Sequence, residues 1–283
     1  MNRWQDSVSQ LRSAGTPAIL ISVDSIVGST PREAGAQMVV SADQIFGTIG
    51  GGNLEFQACA IAREQLTLGS GEALRRFPLG AGLGQCCGGL VNLMFEPLNN
   101  EASWQKAMQS SESAVLYLFG AGHVGKALVS ALQDLPIEIR WIDTRDNMMP
   151  QDSGAVAQML ITDSPEAEVD AAPAGSFFLV MTHDHGLDQR LCEQIFKRDD
   201  FAYFGLIGSQ SKRRNFETRM ARRGVDPGKF ERMTCPIGID GIRSKLPAMI
   251  AISVAAQILR VYDQRQNKKA GNHAMLKIVE GVG

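Results

Sequence analysis

The sequence predicts an α/β chain: an N-terminal α+β domain followed by a Rossmann-like domain with a doubly wound parallel sheet. Three observations predict it. From Ala114 onward, short apolar runs alternate with helical stretches, the rhythm of a parallel sheet covered on both faces. Within that half, the spacing Gly120-x-Gly122-x-x-Gly125 follows a strand and opens a helix. Ahead of it, the first hundred or so residues combine strands, one clear helix and glycine-rich turns.

The elements follow in order. Residues 2–14 predict a short first helix, and "PAILISV" (17–23) a strand ending near Gly28. Residues 36–49 read as a hairpin with a polar turn. "GGGNLEFQACAIAREQL" (50–66) is a glycine loop followed by a helix, with Asn53 as the expected N-cap and Glu55 in the first turn. "LVNLMFEP" (90–97) is a strand stopped by Pro97. The polar, Ser-rich stretch after it reads as a linker, giving domains at 1–98 and 114–267 with 99–113 between them. The second domain starts with strand 114–119, a helix from about 123 to 134 and strand 137–142. Three further segments, "SFFLVMTH", "LDQRLCEQIFKR" and "FAYFGLIG", read as strand, helix and strand, and a helix follows over 209–224. A last helix spans 246–265, with Pro247 in its first turn. The tail, 268–283, carries mixed signals, either a strand or no fixed structure.

Composition narrows the function classes. With 283 residues, the chain is long enough for two cores, and 44% hydrophobic with 20% charged residues is the balance of a globular protein. A net charge of −2 gives no global attraction to nucleic acid or to an anionic membrane, so neither is expected as a partner. The longest uncharged apolar run, Leu246 to Leu259, has 14 residues, too short for a membrane span. The five cysteines are an odd number and form no disulfide framework, which suits a reducing cytoplasm. The first 15 residues hold no apolar core of a secretory signal, so a cytoplasmic location is expected.

The glycine spacing at 120–125 gains weight from Asp143, 18 residues after Gly125 at the end of the next strand. That is the setting of a dinucleotide-binding turn: glycines admit a phosphate to the backbone, the helix start offers N–H donors, and the acid accepts from a ribose. The same turn also occurs on folds where it binds nothing. His123 lies inside the loop, as a phosphate contact or as a solvent-facing helix start. "MTHDHGLDQ" follows a strand end, where α/β proteins place their sites. His183, Asp184 and His185 there, with Asp188, suit metal binding, acid–base work or a polar ligand-facing loop. Ser209 is the expected N-cap of the next helix. Lys212 and Arg213 in its first turn oppose the helix dipole, a mismatch that an anion would relieve, or that the Arg213–Glu217 spacing answers locally.

In the first half, "GSTPREAG" with Arg32 and "GTIGGGNLE" with Gly50, Gly51, Gly52 and Glu55 are two glycine-rich loops. The triple glycine makes a nest of N–H groups suited to anions, or simply a tight turn. Cys59 and Cys192 read as small core residues. Cys86 and Cys87, in "GQCCGG", do not. Neighbouring cysteines are too close to bridge without strain, and the flanking glycines suit a loop around a ligand. Their thiolates are soft ligands for a metal.

Taken in order, "STPREAGAQMVV", "GTIGGGNLE", "GQCCGG", "FGAGHVG", "VMTHDHGLD", "GLIGSQSKRR" and "CPIGIDGIRSKLPAMIA" resemble the XdhC/CoxI family, the accessory proteins of xanthine dehydrogenase-type molybdenum enzymes. The resemblance covers about residues 15–262 and leaves the tail outside. "LPAMIAIS" lacks the acidic residues usual after that proline in the CoxI branch, so the chain looks more like the XdhC branch. The resemblance implies a protein that binds the molybdenum cofactor (molybdopterin), protects it during sulfuration and inserts it into a xanthine dehydrogenase-type molybdenum hydroxylase, without turning over a small substrate. It also implies a cysteine desulfurase as sulfur source and a homodimer. Cys86 or Cys87 would contact the molybdenum or its sulfur ligands. The glycine loops, with Arg32 and Glu55, and the Gly120–Gly125 turn, with Asp143, His183–His185, Ser209 and Lys212 around it, would receive the pterin and its phosphate. A nucleotide at that turn, in an NAD(P)-dependent oxidoreductase, is the competing reading; a metal-dependent hydrolase centred on His183 and His185 is a third.

Overall fold

The computed structural model describes residues 3–79, 88–108, 113–150 and 157–280, with side chains from 6 to 266. The chain divides into two compact units, residues 1–112 and 113–283.

The first unit is built on a five-stranded antiparallel sheet in the order β3-β2-β1-β5-β4. Its strands are β1 (Ala18–Val27), β2 (Gln37–Ser41), β3 (Ile45–Gly47), β4 (Ala73–Pro78) and β5 (Leu90–Pro97). β1 is central, pairing Ala18 with Ser41 of β2 and Ile19 with Pro97 of β5. Its first six residues are all buried because both faces of the sheet are covered there. On one face, helix α2 (Gly52–Leu68) packs Leu54, Ala58 and Ala62 against Ile21, Met38 and Phe95. On the other, α1 (Arg3–Ser13) and α3 (Glu101–Met108) bring Val8, Leu11, Trp104 and Ala107 onto Leu20 and Val39.

Two expectations are corrected here. The stretch read as linker carries α3, because Trp104 and Ala107 lie on one face of an otherwise polar helix and are buried. Asn53 is not the N-cap of α2: Gly51 holds that position with φ 77°, a conformation that favours glycine.

The second unit is a six-stranded parallel sheet in the order β11-β10-β9-β6-β7-β8. Its strands are β6 (Ala114–Phe119), β7 (Ile137–Asp143), β8 (Ala157–Ile161), β9 (Phe177–Val180), β10 (Tyr203–Leu206) and β11 (Met233–Thr234). Counted within the unit, the order is 3-2-1-4-5-6, that of a doubly wound dinucleotide-binding sheet, with its switch point between β6 and β9. Alternate residues of each strand feed two cores. Leu116 and Leu118 meet Leu128 and Leu132 of α4 (His123–Leu132) and Val254 and Ile258 of α8 (Pro247–Glu280). Tyr117 and Phe119 face the opposite core with Val169 of α5 (Pro165–Ala171), Leu191 and Ile195 of α6 (His185–Phe196) and Phe216 of α7 (Gln210–Arg222). The tail, open between strand and no fixed structure on sequence grounds, continues α8 as far as Glu280. Among the described residues, no helix is long and apolar enough to cross a membrane.

Candidate functional site

In the second unit, the three glycines after β6 do three different jobs. Gly120 has φ 120°, and a Cβ on it would lie 2.3 Å from the Met181 carbonyl oxygen, so a side chain there collides with the end of β9. A Cβ on Gly125 would lie 2.3 Å from the Gly120 carbonyl oxygen, so that glycine lets α4 press against the turn. Gly122 is extended, with φ −72°, and a Cβ there would meet nothing within 4 Å. Only Gly122 faces open space, at the amino end of α4, where a phosphate would approach the backbone. His123, the first residue of α4, is exposed.

Asp143 ends β7 and is buried, beside the turn and bonded to it. Its Oδ2 accepts from the Ala121 N–H at 2.6 Å. The Arg145 backbone N–H and Nε donate to Oδ1 at 3.0 and 2.9 Å, and Arg145 Nη2 donates to Oδ2 at 3.0 Å. Burial opposes charge on Asp143, but the Arg145 guanidinium and the two amides outweigh it and hold the carboxyl below its usual range. Around it, Phe119, Ile142, Thr144, Thr182 and His183 line a small cleft across the ends of β6, β7 and β9.

The "MTHDHGLD" loop divides into a cap and an anchor. Asp184 is the N-cap of α6, accepting from the N–H groups of Gly186 at 2.6 Å and Leu187 at 3.3 Å, and those amides lower its pKa. His183 and His185 are exposed on either side of it. Asp188 is fully buried and accepts from the Thr182 N–H at 3.0 Å, the Thr182 hydroxyl at 2.7 Å and Lys212 Nζ at 2.6 Å. Lys212 also donates to the Ile207 carbonyl at 2.9 Å. Ser209 caps α7 as expected, accepting from the Lys212 N–H at 3.2 Å. Arg213 pairs with Glu217 at 2.7 Å and donates to the carbonyls of Phe230 and Cys235. The anion that the basic first turn of α7 calls for is thus the chain's own Asp188. Cys192 and Cys235 are buried free thiols; burial pushes Cys235 up to about 11 and Cys192 well above the ordinary thiol value. Among the described residues, no three His, Cys, Asp or Glu side chains gather in a way that could hold a metal ion.

In the first unit, the segment 29–32 meets two glycines from other parts of the chain. A Cβ on Gly50 would stand 2.5 Å from Pro31 Cγ and 3.5 Å from Arg32 Cγ; one on Gly89 would stand 2.1 Å from the Ser29 carbonyl oxygen. The "STPRE" loop therefore packs against both the triple-glycine loop and Gly89. The glycine nest is filled from within. Glu55 Oε1 accepts from the N–H groups of Ile49 at 2.9 Å, Gly50 at 3.2 Å and Gly51 at 2.9 Å, and from the Thr48 hydroxyl. Burial opposes charge on Glu55, yet these donors prevail and its pKa is lowered. Gly52 opens α2, and Arg32, half-exposed, donates to Glu33 at 3.1 Å. Cys86 and Cys87 lie outside the described residues.

Arg145 is the residue that sequence reasoning passed over; its proximity to Asp143 in "IDTRD" is the signal that was available. The structure gathers Gly122, His123, Asp143 and His183 around the carboxyl ends of β6, β7 and β9, while Glu55 with Gly50 and Gly51, and Lys212 with Asp188, are committed to internal bonds.

Comparison with known proteins agrees with this layout. Residues 116–258 match the XdhC Rossmann domain and residues 11–78 match the XdhC and CoxI family. The uncharacterized protein YqeB of Escherichia coli (strain K12) is 28% identical over 263 residues, covering 89% of this chain and 45% of that protein, so the chain spans less than half the length of this relative. A Bacillus halodurans crystal structure described as a xanthine dehydrogenase superposes with a TM-score of 0.77 at 19% identity, over 94% of this chain and 97% of the other. With residues 116–258 of its second unit and residues 11–78 of its first unit matched, the chain belongs to the XdhC and CoxI family.

Proposed function

We propose that this protein serves the maturation of xanthine dehydrogenase-type molybdenum enzymes, by binding the molybdenum cofactor, shielding it during sulfuration and handing it to the apo-enzyme. Family membership supports the class of client. The observation that supports the binding role is the open space in front of Gly122, at the start of α4 beside the switch point. A terminal phosphate suits that place, because the helix start directs N–H donors and the positive end of its dipole outward. On this reading, Gly122, His123 and the first amides of α4 take the phosphate. In the first unit, Cys86 or Cys87, as a thiolate, is the proposed soft ligand for the metal. When bound, the cofactor supplies redox chemistry that belongs to the client enzyme, so this chain has only to hold and release it. A cysteine desulfurase as sulfur donor and a homodimeric state are part of the same proposal.

The test is cofactor retention. Protein purified from cells that make molybdopterin is expected to carry molybdenum and pterin through gel filtration and to activate an apo-hydroxylase on mixing. Protein that elutes without either, and turns over a nicotinamide cofactor with a small substrate, would assign the site to an oxidoreductase instead.

A further inference from the structure

Both oxygens of Asp143 are used up inside the protein. Oδ1 accepts the Arg145 backbone N–H and Nε, and Oδ2 accepts the Ala121 N–H and Arg145 Nη2. An ionised carboxylate offers about four lone-pair positions, so four donors saturate it. A dinucleotide-binding turn ordinarily uses an acid at this place to accept from a ribose diol. Asp143 has no acceptor left for one, and its side chain is only 3% exposed.

Arg145 is placed to take over. Its side chain is 30% exposed. A guanidinium carries five N–H donors in a flat fork, and Asp143 engages two of them through the side chain. Asp143 bonds Ala121 inside the turn on one side and Arg145 on the other, so the guanidinium stands one carboxylate away from the Gly120–Gly125 turn. The pairing also neutralises the one buried carboxylate at the end of β7, which would otherwise repel an anion.

We infer that Arg145, rather than Asp143, reads the ligand at the end of β7, and that the group it takes is an anion of the phosphate class rather than a ribose diol. The inference rests on the binding role proposed for this turn and adds to its ligand a second phosphate-class group, beyond the one taken at Gly122. The guanidinium fork matches two oxygens of a phosphate, and such charge-assisted pairs are the strong ones.

NADPH and NADH, used as probes, differ by one 2′-phosphate. In equilibrium titrations with the full chain, NADPH is expected to bind at least about tenfold more tightly, the contribution of one hydrogen bond to a charged group. Arg145→Gln removes the preference, and Arg145→Lys keeps part of it as a point charge. Circular dichroism melts establish that both variants are folded. Equal affinities, tighter NADH, a preference that survives in Arg145→Gln, or no measurable binding of NADPH each overturn the inference. The outcomes separate from those of the proposed function: cofactor retained through gel filtration without a phosphate preference sinks only this inference, and a phosphate preference without cofactor retention sinks only the other.

Discussion

Lys212 Nζ lies 2.6 Å from the Asp188 carboxylate, which is fully buried between α6 and α7. The pair is cross-linked further by Thr182 on the acid and by the Ile207 carbonyl on the base. A buried pair contributes little over an apolar replacement, but breaking it leaves an uncompensated charge, at a cost of roughly 3–5 kcal/mol. Lys212→Met is therefore expected to lower the urea midpoint of the second unit sharply, and Lys212→Met with Asp188→Leu to recover part of the loss. An unchanged midpoint in the single variant would show that water reaches Asp188.

The glycines of the turn are expected to separate by role. Gly120→Ala and Gly125→Ala place a Cβ 2.3 Å from a carbonyl oxygen, and overpacking of this kind costs about 1–3 kcal/mol. Gly122→Val adds its side chain to open space and is expected to keep the melting temperature while losing bound cofactor. Equal melting temperatures for all three variants, or full cofactor retention by Gly122→Val, contradict this division.

Glu55 makes the triple-glycine loop sensitive to acid. Its folded pKa is lowered, so the stability it contributes is complete above the ordinary glutamate value of about 4.3 and is lost as pH falls through the lower folded value. The gap in urea midpoint between wild type and Glu55→Gln is expected to be constant above about pH 5 and to narrow as pH falls below the ordinary glutamate value. A gap that does not change with pH would mean that Glu55 acts by shape rather than charge.

The thiol pair is expected to matter for the ligand and not for folding. Cys86→Ala or Cys87→Ala, whichever residue is the metal ligand, should sharply lower the molybdenum retained after gel filtration and the activation of the apo-hydroxylase, with the apo-protein melting curve unchanged. Full retention by both single variants and by the double variant would remove the thiols from the binding role.

What the sequence determined by itself was local. Gly120-x-Gly122-x-x-Gly125 after an apolar run, Ser209 ahead of α7 and the alternation of strands with helices are short-range patterns, and the backbone follows them. Elements whose outward face dominates their composition were harder to read. α3 reads as a polar linker until Trp104 and Ala107 are seen to meet Leu20 and Val39. β4 carries Arg75 and Arg76 because it is an edge strand, and β8 is short and half-exposed.

The tertiary structure decided which charges remain available to a ligand. The sequence displays a glycine nest, an acid at a strand end and a basic helix start as three open invitations. Folding fills the nest with Glu55, saturates Asp143 with Ala121 and Arg145, and pairs Lys212 with Asp188, 24 residues away. The strand order 3-2-1-4-5-6 was equally beyond sequence spacing, since it depends on which strands pair across long connections. The reason is physical: periodicity along the chain reports burial against some partner, whereas a hydrogen bond or ion pair depends on which partner the topology brings within about 3 Å.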